Sequence, residues 1–291
     1  MIRTLIVLLL ISTGASAQTN VDSLEVELST ATDTTRVNIL NLLAVGYVRS
    51  DNEKSMEYGN RALNEAQTIG FIKGIAQAHS NIGWALSLLG KNDKAIEKYH
   101  DALKALDYDE SNMYTGYNYS RIGTAYSRSG NNRDAIINMK KAVTILSNLH
   151  ETGGASYAAN NLGYTYWRIS EHDSSLVYFN IALKMRMKLD NKANTATTLN
   201  NIGIINYQLG NYEVALEYYF ESMKYQEESG NRYGVSLVMS NIGKTYKDLG
   251  KIDDALPYFT DALRIGEEIN DNIATGYALN NIGTVHEAKS L

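Results

Sequence analysis

Beyond its N-terminal stretch, the chain repeats one arrangement of apolar, small and polar positions at a fixed step of 40 residues. The triplet Asn81-Ile82-Gly83 returns as Arg121-Ile122-Gly123, Asn161-Leu162-Gly163, Asn201-Ile202-Gly203, Asn241-Ile242-Gly243 and Asn281-Ile282-Gly283, with a degenerate copy at Asn41-Leu42-Leu43. One register kept without a slip is the mark of a repeat architecture. Seven residues after the triplet glycine stands Gly90, Gly130, Ser170, Gly210 or Gly250, and twelve after it Ala95, Ala135, Ser175, Ala215 or Ala255. A bulky residue follows at Tyr99, Met139, Phe179, Tyr219 and Phe259, then a small one at Ala102, Ala142, Ala182, Ser222 and Ala262.

A pair of helices explains this order. Ala95, Tyr99 and Ala102 stand at i, i+4 and i+7 on one helix face, and Ile82, Gly83 and Leu86 share a face of the helix before it. The small residues let the two helices approach, and Tyr99 fills the space between them. Gly90 falls where a left-handed C-cap is cheapest for glycine, and Lys91-Asn92-Asp93 supplies a polar turn with N-cap candidates. Each period therefore predicts a helical hairpin, with helices of roughly 17 residues and about 25 Å. Six complete hairpins are expected, their first helices beginning near Thr35, Phe71, Asn112, Gly154, Asn194 and Tyr233, with a seventh first helix from Asp271. Val21 to Ser29 predicts a short helix, so residues 18–32 form an N-terminal cap and 33–291 the repeat array.

These residues resemble the tetratricopeptide repeat family. Its large–Gly–Tyr pattern is met at Ile82, Gly83 and Tyr126, and its Ala–aromatic–Ala pattern at Ala95, Tyr99 and Ala102. The tyrosine slot reads Leu86, Tyr126, Tyr166, Asn206, Tyr246 and His286, the last expected to pack in the core. The period is 40 rather than the family's 34, and the usual proline at the repeat end is missing; the lone Pro257 falls near the start of a second helix. Both departures resemble the long subclass found in secreted and signalling proteins. The resemblance implies an all-α, right-handed superhelical solenoid of antiparallel helix pairs, whose first helices line a concave groove.

The segment Met1 to Ala17 has a positive Arg3, an apolar run from Leu5 to Ile11 and a small-x-small site at Ala15-Ser16-Ala17. That is a secretory signal peptide, since so short a run cannot span about 30 Å of hydrocarbon as a helix. The mature chain is expected to be exported, periplasmic or secreted, and not inserted in a membrane. Asp33 to Ala44 (DTTRVNILNLLA), together with the leader, resembles the start of periplasmic repeat-containing sensor regions in Bacteroidota histidine kinases and regulators.

Composition removes several kinds of chemistry. With no cysteine there is no thiolate nucleophile, disulfide or Cys-ligated metal, and a net charge of −5 argues against nucleic acid as a partner. His79, His100, His150, His172 and His286 fall at unrelated repeat phases without metal-ligand spacing. Gly243-Lys244-Thr245 looks like the end of a phosphate loop, but Val238 stands where that motif needs glycine, inside a predicted helix. The chain reads as a non-enzyme without cofactor or metal.

The informative surface is the wall formed by the first helices. Asn41, Asn81, Asn161, Asn201, Asn241 and Asn281 predict a polar ladder with Arg121 as one rung. Such amides could bond the backbone of an extended peptide or bond neighbouring helices. In peptide-binding members of the family the asparagine has the first role, and the arginine resembles their carboxylate-holding residue. Neighbouring groove positions are Trp84, Arg128, Tyr164, Trp167, Arg168, Tyr207, Lys244 and Lys247, types that dominate interface hot spots or steer acidic ligands. Arg121, Arg128, Tyr164, Trp167 and Arg168 combine both characters in consecutive repeats. The expected partner is a protein or peptide with acidic groups or a free C-terminus, held by an exported scaffold. The alternative is the sensory part of a histidine kinase or transcriptional signalling protein. Leu279, Ile282, Gly283 and Val285 keep the core pattern up to the last residues, so either a lone seventh helix serves as a cap or the protein continues beyond Leu291; the apolar pattern favours continuation.

Overall fold

The computed structural model describes residues 14–289, and every element among them is an α-helix. The chain forms two compact units divided between Leu149 and His150. In the first unit α1 (Gly14–Leu28) precedes three pairs: α2 (Asp33–Tyr47) with α3 (Asn52–Thr68), α4 (Ile72–Leu88) with α5 (Asn92–Ala105), and α6 (Met113–Arg128) with α7 (Asn132–Asn148). In the second, α8 (Thr152–Arg168) pairs with α9 (His172–Lys188), α10 (Lys192–Gln208) with α11 (Tyr212–Glu228), and α12 (Arg232–Asp248) with α13 (Ile252–Glu268); α14 (Asn272–Lys289) follows. Within a unit each helix packs on the next, and first helices also touch successive first helices, as α2 touches α4 and α10 touches α12.

The small residues of the repeat act as the pattern predicts. A Cβ on Gly83 would lie 2.7 Å from the Tyr99 ring, and one on Gly203 would lie 2.6 Å from Tyr219. The triplet glycines Gly83, Gly123, Gly163, Gly203 and Gly243 are thus flat floors for the bulky residues of their own hairpins, and Ala95 and Ala215 are fully buried beside them. Dispersion over these close contacts, together with the apolar area removed from water, holds each pair.

From Gly130 to Asn270 left-handed residues come every 20 positions, twice the expected frequency, while the turn after α5 uses Asp107 and Tyr108 instead. Gly90, Gly130, Ser170, Gly210 and Gly250 end first helices, while Gly70, His150, Asp190, Gly230 and Asn270 end second helices. The second set escapes a search for glycine because three of its five members carry side chains. His150 is one, with φ 58°, so it is a turn residue. In the turn after Gly90 the N-cap position is Lys91, which makes no side-chain cap, whereas Asn131, Asn191 and Asn231 cap their helices through Oδ1. Pro257 lies inside α13 rather than at its first position. It is exposed, as is Asp253, the residue four positions before it to which a proline offers no backbone N–H. His286 is exposed rather than packed, because among the described residues no element follows α14 to cover that face.

α1 docks on the first pair through buried Val21 and Leu28, and Gly46 leaves room for Val21, whose Cγ2 would stand 2.8 Å from an added Cβ. Arg36 Nη1 donates to the Leu28 carbonyl at 2.7 Å, satisfying a helix C-terminus. Glu25 Oε1 accepts from the Tyr47 hydroxyl at 2.7 Å and the Tyr58 hydroxyl at 2.9 Å, while the two rings stack 5.6 Å apart. These two hydrogen bonds hold the Glu25 carboxyl below its ordinary 4.5. A depressed carboxylate stabilises above its unfolded value and loses that contribution as pH falls through its folded value. Acidification below 4.5 should therefore raise amide exchange in α1 before the paired helices respond. Glu25→Gln should remove that pH dependence; an α1 equally protected at pH 3 and pH 6 would contradict the docking account. Of the expected signal peptide, all but residues 14–17 lies outside the described residues. Among the described residues no helix is long and apolar enough to cross a membrane.

Candidate functional site

In the first unit the ladder positions sit in the seam between first helices. Asn81 is buried and donates through Nδ2 to the Asn41 carbonyl at 3.2 Å and to Asn41 Oδ1 at 3.0 Å. Asn41 in turn donates to the Val37 and Gly74 carbonyls, both at 3.3 Å. Arg121 Nη1 reaches Ser80 O at 3.0 Å and Ser80 Oγ at 2.6 Å, with its guanidinium 5.1 Å from the centre of the Trp84 ring. Arg128 Nη1 donates to Ser87 Oγ at 2.9 Å. Of the two roles open to these amides and guanidinium groups, bonding the adjacent helix is the one whose geometry is present. The physical reason is proximity: first helices pack directly, so a polar residue at their contact line meets the neighbour's carbonyls.

The second unit repeats the scheme with different chemistry. Asn241 Nδ2 donates to Asn200 Oδ1 at 2.9 Å, and Lys247 Nζ to Thr284 Oγ1 at 3.2 Å. Trp167 Nε1 donates to Gln208 Oε1 at 2.6 Å, and the Tyr207 hydroxyl donates to the Asp248 carboxylate. Ser87–Arg128, Trp167–Gln208 and Tyr207–Asp248 are all spaced 41 residues apart, rungs that join the ends of α4 and α6, α8 and α10, and α10 and α12. Lys244 Nζ lies 4.8 Å over the Tyr207 ring.

What stays open in this unit is aromatic. Tyr157 is 52% exposed and Tyr164 47%, and the Tyr164 and Trp167 rings are 5.3 Å apart. Tyr157, Asn161, Tyr164 and Arg168 stand at i, i+4, i+7 and i+11, one face of α8. On α12, exposed Tyr233 and Leu237 precede exposed Lys244. Tyr164, Trp167, Phe179, half-buried Asn201 and Ile204 line a recess of about 70 Å³. That is room for part of a side chain, well short of the roughly 300–1,000 Å³ of a small-molecule site.

The sequence reading missed Tyr157, Tyr233 and Leu237. The slot four residues before the ladder asparagine reads Gln77, Tyr117, Tyr157, Thr197, Leu237 and Tyr277, on the same helix face and apolar in most repeats. That recurrence was the available signal. Arg121 and Arg128 belong to the first unit, and Tyr164, Trp167 and Arg168 to the second. Among the described residues no three His, Asp or Glu side chains converge on a metal position. Burial holds the His79 imidazole below its ordinary pKa, against the pull of Asp101.

Three tetratricopeptide repeat models match the chain, over residues 154–228, 236–271 and 78–114. The chain is a tetratricopeptide repeat protein, and such repeats serve as protein-interaction scaffolds. No curated protein matches it in sequence. Among solved structures, BtubC from P. vanneervenii is 20% identical with a TM-score of 0.68, covering 76% of this chain and 93% of that one. A Rap protein complexed with Competence and Sporulation Factor is 15% identical with a TM-score of 0.63, covering 94% and 81%. A signal transduction ATPase with a tetratricopeptide repeat sensor, from Pyrococcus horikoshii, is 17% identical with a TM-score of 0.70, covering 96% of this chain and 44% of that one. At these identities the likeness is one of fold.

Proposed function

We propose that this protein is an exported scaffold that holds a peptide or protein segment against the face of its first helices, by recognition alone and without a covalent step. The observation that carries the reading is the pair of exposed tyrosines Tyr157 and Tyr164 on α8, with half-buried Trp167 beside Tyr164 at the recess floored by Phe179. Aromatic side chains left half in water at a rigid helix face are the anchors that dominate binding energy at interfaces. Arg168 on α8 and Lys244 on α12, both exposed, favour a segment that carries acidic groups.

The test has two parts. Material captured by the immobilised chain from a periplasmic or culture extract supplies the partner, and calorimetry then compares variants. Trp167→Ala and Tyr164→Ala should each weaken binding by about 1–3 kcal/mol with helicity unchanged. Affinity equal to the unaltered chain in both would reject the surface. Export predicts a mature protein beginning at Gln18 on N-terminal sequencing; a chain retaining Met1 inside the cell would reject that part.

A sensory role is the second reading. It is favoured by the shared fold with the repeat sensor of the Pyrococcus horikoshii ATPase, where the matching part is under half of that protein. Here the same surface would bind a partner and pass the binding energy to an output domain. Co-purification of a kinase or regulator with the chain would distinguish it from a free scaffold.

A further inference from the structure

Among the described residues three tyrosine pairs stack across a hairpin, Tyr47–Tyr58, Tyr166–Tyr178 and Tyr246–Tyr258, each with ring centres 5.6 Å apart. What the second helix adds differs in each. In the first hairpin Lys54 Nζ lies 4.8 Å over the Tyr47 ring and the Arg61 guanidinium 5.3 Å over Tyr58, so that stack carries its own cations. In the 40-residue register those two slots become Ser174 and Ile181 in the hairpin of Tyr166 and Tyr178, and Asp254 and Asp261 in the hairpin of Tyr246 and Tyr258. The pair with neutral neighbours shows that the stack needs no charge to form.

The last hairpin therefore keeps the rings and inverts the charge around them. Tyr246, Tyr258, Asp253, Asp254, Pro257 and Asp261 line one open recess on its second-helix side. Asp261 accepts from Arg264 Nη2 at 3.2 Å, within α13 itself, whereas Asp254 is exposed and forms no ion pair among the described residues. The dipole at the start of α13 offsets Asp253 and Asp254, but Asp261 stands about two turns further on, beyond its reach. Phe220 of α11 meets Tyr258 edge-on with ring centres 6.2 Å apart. α11 carries five carboxylates against Lys224 alone and α13 five against Arg264 alone, whereas α7 and α9 each carry one against three cations. An acidic outer surface is thus particular to α11 and α13 and not a property of second helices in general.

We propose that this recess docks a lysine or arginine side chain from a basic segment of a partner protein. A cation over a tyrosine face is attracted by the negative face of the ring, and carboxylates at the rim balance its charge. The first hairpin supplies the template. There Lys54 and Arg61 cover the stack from within the chain; where their slots hold Asp254 and Asp261, the cation comes from outside. A metal ion fits less well, because no three acidic side chains converge on one position among the described residues. The surface lies on second helices and has the opposite charge preference to the first-helix face, so it stands or falls separately from the scaffold reading above.

The experiment titrates the full chain with acetyl-Gly-Arg-Arg-Gly amide, its lysine counterpart and its citrulline counterpart, which has the arginine shape without the charge. The ring-proton signals of Tyr246 and Tyr258 are the readout, and those of Tyr178 the internal control, each assigned with its Tyr→Phe variant. At least one cationic peptide should shift Tyr246 and Tyr258 saturably, leaving Tyr178 in place, and the citrulline peptide should move none of them. Asp254→Asn together with Asp261→Asn should weaken the response by about tenfold with helicity unchanged, since the stack of Tyr166 and Tyr178 forms beside neutral slots. Asp254→Lys with Asp261→Arg restores the cations of the first hairpin and should abolish the response. Rings unmoved by both cationic peptides overturn the site, as does a citrulline peptide that acts as strongly as arginine, or a doubly neutralised chain that responds in full. Ring shifts that grow with the concentration of the chain alone would give the recess to a second copy and overturn the assignment to a partner protein.

Discussion

Phe259→Ala should destabilise the last hairpin by about 3–5 kcal/mol, the largest effect expected of any single truncation in the second unit. The ring is completely buried and lies against Gly243, where an added Cβ would stand 2.7 Å from its Cε1. Around it are Ala255 and Val285, with Tyr246, Ile252, Leu256 and Ile282 partly buried at the margin. Alanine forfeits the transfer energy of the ring and leaves a cavity that the flat Gly243 floor cannot fill, because glycine has no side chain to move into it. Repeat arrays are held by nearest-neighbour terms, so the loss should be local. Native-state hydrogen exchange is the suitable measurement, since a repeat array need not unfold in one step. Amides of α13 and α14 should exchange at least about a hundredfold faster, with those of α8 and α9 unchanged. Uniform acceleration from α8 to α14 would contradict nearest-neighbour stability.

Gly203→Leu should cost about 3 kcal/mol or more, by the opposite mechanism. Helix propensity alone favours the change by up to about 1 kcal/mol, because glycine in a helix interior pays extra backbone entropy. Packing overrides it. A Cβ at this position would already stand 2.6 Å from Tyr219 Cε1 and 2.7 Å from its Cδ1, and leucine adds three further carbons. Tyr219 cannot yield, being 2% exposed and enclosed with Ala215, Val238 and Ile242. Gly276→Ala is the control, because a Cβ there meets nothing within 4 Å. That substitution should stabilise α14 by about 0.5–1 kcal/mol. The comparison is made by chemical denaturation of the three chains side by side. Equal losses for the two substitutions would show that glycine flexibility, rather than space, is what the triplet requires.

The repeat, its helix pairs and half of its turns were legible in the sequence, since each depends on spacing along the chain. Ala95, Tyr99 and Ala102 must share a face once the segment is helical, and Gly83 opposite them has no other use than close approach. Gly90 and its equivalents mark the left-handed turn because glycine alone enters it without strain. The turns at His150, Asp190 and Asn270 take the same conformation with side chains attached, so composition gave no sign of them.

The site was legible only in outline. Aromatic and cationic residues on the first helices could be named, but Asn81, Arg121 and Arg128 turn out to be engaged with Asn41, Ser80 and Ser87. Their partners lie about one period away, and whether a polar side chain meets a neighbouring helix or a ligand depends on helix separation, which spacing along one chain does not contain. Arg186 shows the same division. Its charge in a slot otherwise held by alanine, leucine, glutamine or glycine is visible in the 40-residue register. That its long side chain threads between α8 and α10, spends Nη1 on neutral acceptors and leaves Nε bare is decided by tertiary packing. Local periodicity determines which residues share a helix face; only the assembled helices determine what each polar atom can reach, because hydrogen bonds act over about 3 Å and repeats are 40 residues apart.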